Sequence, residues 1–156
     1  MIVKLVFVFL YLTLMFSMPA SAQGCHDLEL YRISENKFLL NNDGVTHEIY
    51  TPNRIEDGSW SANNEYILFY GLSNFMSSKN PQLSLLSVFY ISHSRKPVYK
   101  ITFGAGIRNA FFVKGGEIYV SESSEYSVDI KSKKITYMGY SDPPPSENCP
   151  VKYIGK

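Results

Sequence analysis

Histidine, cysteine and tryptophan are scarce in this chain, and their scarcity removes most of the enzyme chemistries that a sequence can announce. There are three histidines, two cysteines and one tryptophan. His26, His47 and His93 have no second histidine or carboxylate at ligand spacing, so no zinc or other metal motif is present in the sequence. No G-x-S-x-G elbow occurs. The glycine-rich stretch "GAGIRN" (104–109) follows one strand pattern and leads into another, not into a helix. It reads as a connection, not as a phosphate cradle. Glu56 and Asp57 are adjacent carboxylates; as turn formers they need no cleft, whereas as an acid/base pair they would. The expectation is a non-enzyme with no cofactor and no metal.

Excess charge is missing too. Basic and acidic residues number 15 and 14. One of the basic residues, Lys4, belongs to an expected leader, so the remainder is neutral. A neutral chain lacks the basic face that nucleic acid selects for. That leader is the longest apolar run: Leu5 to Phe16, interrupted by Thr13, then Pro19 and Ala20-Ser21-Ala22. A positive start, a short apolar core and small residues at −3 and −1 make a secretory signal, cleaved after Ala22. The run falls short of the roughly 20 apolar residues that span a bilayer. The expectation is an exported protein with no membrane span after cleavage. Residues 23–156 then form one domain.

Export sets the redox context. Cys25 and Cys149 lie near the two ends, outside the strand-rich body. In an oxidising compartment an even cysteine count implies a bridge, and chain termini often meet. Cys25–Cys149 would close a very long loop, stabilising by up to about 5 kcal/mol in the chain-entropy model. Lipidation of Cys25 is the rival, and "AQGC" lacks the leucine usual at −3.

Helical periodicity is absent as well. In its place stand short runs rich in Tyr, Phe, Ile and Val, separated by turn residues. The expected strands are 28–33, 37–41, 45–50, 65–70, 83–91, 97–103, 108–114, 117–122, 126–130 and 134–140. "NDG" (42–44), Gly115-Gly116 and "KSKK" (131–134) read as hairpin turns. In "PVYKITF", Tyr99, Ile101 and Phe103 share one face against Lys100 and Thr102. Tyr126, Val128 and Ile130 likewise oppose Ser127 and Asp129. "EYILFY" and "SLLSVFY" are apolar on both faces and should lie centrally. The tail "SDPPPSENCP" has too many prolines for a ladder and reads as an extended strap.

"SWSANNEYILFYG" has the form of a propeller-blade corner, and "IRNAFFVKGGEIYVSES" repeats it with Phe in place of Trp. Propellers need at least about four blades of about 40 residues, and this chain could hold about three. The fold class expected is therefore all-β: an antiparallel meander in two packed sheets, with blade-like strands and no ring closure. Trp60 is expected to be a core plug supporting an Asp57-Gly58 turn.

The polar loop "GLSNFMSSKNPQ" (71–82), between the two central strands, is longer than most hairpin connections. Ser73, Asn74, Ser77, Ser78 and Asn80 supply polar contacts, and Phe75 and Met76 supply apolar area. Composition alone suits a recognition loop and a solvated loop equally.

The signal, the early cysteine, "RIEDGSWS", "EYILFY" and the serine-bearing loop together resemble the periplasmic immunity proteins that neutralise type VI secretion peptidoglycan amidases. "SVFYISHSRKPVYKITF" and "NAFFVKGGEIYVSES" extend the resemblance, which covers roughly 54–123. In that family a serine-bearing loop enters the amidase cleft beside its catalytic Cys-His pair. By position Ser73, Ser77 and Ser78 match it; here the loop is longer and the cysteines are fewer. The resemblance implies a periplasmic, stoichiometric inhibitor whose partner is a secreted peptidoglycan hydrolase of the Cys-His amidase class. A lysozyme inhibitor and a propeller-like envelope scaffold or lipoprotein are the alternatives.

Overall fold

A computed structural model describes residues 28–42, 44–74, 82–92, 95–150 and 152–154. The expected leader, Cys25, His26 and His93 lie outside the described residues. Three antiparallel meanders follow one another along the chain. The first comprises β1 (Glu29–Arg32), β2 (Lys37–Asn42) and β3 (Val45–Tyr50). The second comprises β4 (Asp57–Ser61), β5 (Tyr66–Leu72), β6 (Ser84–Tyr90) and β7 (Tyr99–Phe103). The third comprises β8 (Asn109–Phe112), β9 (Ile118–Ser121), β10 (Glu125–Asp129) and β11 (Lys134–Gly139). Two short strands close the chain, β12 (Asn148–Pro150) and β13 (Lys152–Ile154).

The all-β, antiparallel expectation is met, but the sheets number three, not two. They stack as layers, with the second meander in the middle. Alternation along β5 shows this directly. Tyr66, Leu68 and Tyr70 enter one core with Leu86, Val88, Phe112, Ile118, Val120 and Val128. Ile67 and Phe69 enter the other with Leu30, Phe38, Leu40, Ile49, Trp60 and Phe89. A strand in a middle layer has no wet face, which is why β5 and β6 are buried almost throughout, the serines Ser84 and Ser87 included. Each fully buried Leu, Ile or Phe here stabilises the stack by about 1.5–3 kcal/mol. Phe38 stacks on Phe69 at 5.0 Å, joining first sheet to middle. Phe103 meets Tyr126 edge-on at 5.7 Å, joining middle to third. Among the described residues no core cluster joins the first and third sheets, so the stack stays open.

Local chemistry fixes the turns. Ser61 closes the β4–β5 turn: its Oγ accepts from the Tyr66 amide at 2.9 Å and the Glu65 amide at 3.2 Å. That gives the serine of the Trp-Ser pair its job. Asp129 does the same after β10, accepting from the Lys131 amide at 2.8 Å and from the Ser132 hydroxyl at 2.6 Å. Asp57-Gly58 is not a turn. It opens β4, with Gly58 facing Phe69.

The tail departs most from expectation. Ser146 bridges Val113, and the Glu147 amide donates to the Phe112 carbonyl at 3.0 Å. β12 then pairs with β4, and β13 runs parallel to β1. The strap thus crosses the first-strand edges of all three meanders in turn. Uncovered edges invite pairing with other chains, and a tail laid along them removes the hazard. Pro143 to Pro145 precede the ladder residues, and Pro150 ends β12 opposite Ser59.

Candidate functional site

Antiparallel succession places five connections at one end of the stack: 33–36, 51–56, 73–83, 104–108 and 122–124. Hydrogen bonds tie them together. The Thr51 amide donates to Asn36 O at 2.9 Å. The Ala105 amide donates to the Glu122 carboxylate at 2.6 Å. The "GAGIRN" stretch is thereby a fastened connection, as its sequence suggested. The described ends of the expected recognition loop, 73–74 and 82–83, belong to this end, between the two central strands.

Its base is built into the ladder. Gly71 and Leu72 belong to β5, and Ser73 bridges Asn53 while its amide donates to Leu83 O at 2.8 Å. Ser73 is only 3% exposed. It is a residue of the base and not of the surface, because the strand continues past the point where the polar sequence suggested it stopped. Asn74 is exposed, and its Nδ2 donates to Pro52 O at 3.2 Å. Phe75, Met76, Ser77, Ser78 and Asn80 lie outside the described residues.

Sequence reasoning missed the two pegs under this base, Thr51 and Asn53. Both are buried polar residues in the β3–β4 connection. The Thr51 hydroxyl donates to Asn53 O at 2.9 Å, and Asn53 Nδ2 donates to Leu85 O at 3.3 Å, reaching into β6. "TPN" carries only a turn signal, so nothing local announces a buried amide. A third support is a close approach. A Cβ added to Gly71 would sit 2.1 Å from Arg54 O and 2.7 Å from Glu56 N. Only glycine lets the connection lie so near. The Arg54 and Glu56 amides bracket it, donating to Leu72 O at 3.1 Å and Tyr70 O at 2.9 Å. Burial, and then the nearby Asp57 and Glu56 charges, push the Tyr70 phenol up to about 12. It stays neutral and packed.

The other candidate residues separate. His47 is half-buried on β3 opposite Leu40. Among the described residues no group of three His, Cys, Asp or Glu could hold a metal ion. Asp57 caps its own strand, its carboxylate accepting from the Gly58 amide at 2.8 Å, while Glu56 is held through its backbone. Trp60 is 1% exposed and lies between Ile67 of β5 and Cys149 of β12. Cys149 is itself buried in that cluster, which also holds Leu28. What this end of the molecule offers, among the described residues, is a fixed base at both ends of the 73–83 connection. No protein-family model, curated protein or solved structure matches the chain.

Proposed function

We propose that this protein is a secreted inhibitor of a peptidoglycan hydrolase, presenting the loop between Ser73 and Gln82 to the enzyme's cleft. The observation that carries the reading is the loop's base. It springs from β5 and β6, both buried on two faces. It is pinned by the Ser73–Leu83 ladder bond, the Asn74–Pro52 contact and the Asn53–Leu85 peg. A loop held this way at its base loses less entropy on binding. In this reading Ser73 and Asn53 hold the base, Ser77 and Ser78 meet the catalytic histidine, and Phe75 and Met76 seal the rim. Asn74 and Asn80 complete the contact surface. The signal-like leader and the resemblance name the partner class: a Cys-His amidase acting in the periplasm, neutralised stoichiometrically by an immunity protein that needs no cofactor.

A Cys25–Cys149 bridge belongs to the same proposal. What supports it is that β13, which begins three residues after Cys149, runs parallel to β1, so the chain following Cys149 returns beside the first described strand. The test of function is inhibition. The exported chain is added at equimolar ratio to secreted Cys-His amidases of the proposed class and, separately, to lysozyme, with peptidoglycan turbidity as readout. Loss of amidase activity supports the reading. Inhibition of lysozyme alone would move the target, and inhibition of neither would end it.

A further inference from the structure

Seven large apolar side chains are exposed among the described residues, and four of them, Ile135, Tyr137, Met138 and Tyr140, lie on β11 or just beyond it. β11 is the terminal strand of the third sheet. The two other outer-edge strands carry charge: β3 has Glu48, paired with Lys37 of β2, and β7 has Lys100 at its second position. The inner edges are covered by the tail. β11 has no such protection between Lys134 and Gly139. Ile135 and Tyr137, 43% and 62% exposed, point to the side occupied by the middle sheet. That sheet ends over β10, where Phe103 meets Tyr126. β11 overhangs it. On the opposite face Thr136 and Met138 line a groove of about 640 Å³ with Tyr119, Pro144 and Pro145.

The charges around this strand are segregated. Lys131, Lys133 and Lys134 stand at its start. Glu125, which faces Gly139, and Asp142 stand at its end. A strand with a basic end, an acidic end and an apolar middle is complementary to its own antiparallel copy. Opposed residues must share a face, so only registers that match like parity are allowed. With Thr136 on the two-fold axis, Ile135 faces Tyr137 of the second copy, twice. That is a β-branched–aromatic pair, among the favourable cross-strand pairs. Each lysine-bearing turn then approaches the other copy's Asp142 end. We infer that β11 pairs with β11 of a second copy, joining two third sheets into one eight-stranded sheet by an isologous interface.

Sedimentation velocity on the exported chain, from about 1 µM to about 100 µM, tests this directly. A dimer is expected. The double variant Ile135→Lys, Tyr137→Lys should be monomeric while keeping the parent's β-sheet circular-dichroism spectrum, and its melting temperature, unlike the parent's, should not depend on protein concentration. Thr136→Cys supplies an independent readout. Directly opposed residues in an antiparallel pair lie about 4.5–5.5 Å apart between Cα atoms, within disulfide range. It should therefore form a covalent dimer on mild oxidation. A parent that is monomeric throughout overturns the inference. So does a dimer that survives the lysine variant, or a Thr136→Cys chain that does not cross-link.

Discussion

Replacing Gly71 with alanine should loosen the base of the proposed inhibitory loop more than any exposed substitution. The new methyl carbon would sit 2.1 Å from Arg54 O. Ordinary carbon–oxygen contacts run to about 3.3–3.6 Å, so β5 or the 54–56 connection must move by more than about 1 Å. That shift breaks or stretches the Arg54–Leu72 and Glu56–Tyr70 hydrogen bonds. Each contributes about 0.5–1.5 kcal/mol, and forced overpacking adds about 1–3 kcal/mol. The total is about 2–6 kcal/mol. At the few degrees per kcal/mol expected for a domain of this size, the melting temperature should fall by roughly 10 °C or more. Differential scanning calorimetry reads this out. The control is Gly44→Ala. Gly44 also has a positive φ, 81°, but nothing lies within 4 Å of its added Cβ. It should cost only about 1–2 kcal/mol. If the two variants melt together, or if Gly71→Ala melts within about 2 °C of the parent, the close-approach reasoning is wrong.

Three further outcomes are expected. Trp60→Ala should destabilise by about 3–5 kcal/mol as the loss of a core aromatic, and the parent's emission, from its single tryptophan, should peak at the short wavelength of a buried indole. An exposed-type maximum would contradict its burial. Peptide mass spectrometry without reduction should find Cys25 joined to Cys149; an acylated Cys25 or two thiols would exclude the bridge. The Ser132 hydroxyl, and then its amide, hold the Asp129 carboxyl below the usual aspartate range. A depressed folded value means that its contribution is present above the unfolded aspartate pKa and lost as pH falls through the folded one. Ser132→Ala should raise the Asp129 pKa by NMR titration, and an unmoved value would refute the cause.

The middle layer was legible because burial on both faces leaves a local mark: "EYILFY" and "SLLSVFY" have no polar alternation to lose. One-faced strands were legible for the complementary reason, as Tyr99, Ile101 and Phe103 show by packing together against the third sheet. The number of sheets was not. Alternation says that a strand has a covered face but not which strand covers it, and two covers look the same whether they come from one sheet or two. The tail's pairing was also invisible. Three-residue strands carry no period, and what places them is the need of distant edges for cover. At the candidate site the loop's existence could be read from polarity and length. Its base could not, because Asn53 and Ser73 meet across a connection and a strand end that are far apart in sequence, and Gly71 is needed only because Arg54 passes beside it.

Titration calorimetry against a secreted Cys-His peptidoglycan amidase, the proposed partner, separates the inhibitor reading from its alternatives. The parent should bind at a one-to-one ratio. A variant with Ser77 and Ser78 both changed to glutamate should keep its melting temperature and lose several kcal/mol of binding, as hot-spot disruption does. Equal affinity for parent and variant would contradict the loop's role, and absence of binding by the parent would contradict the inhibitor itself.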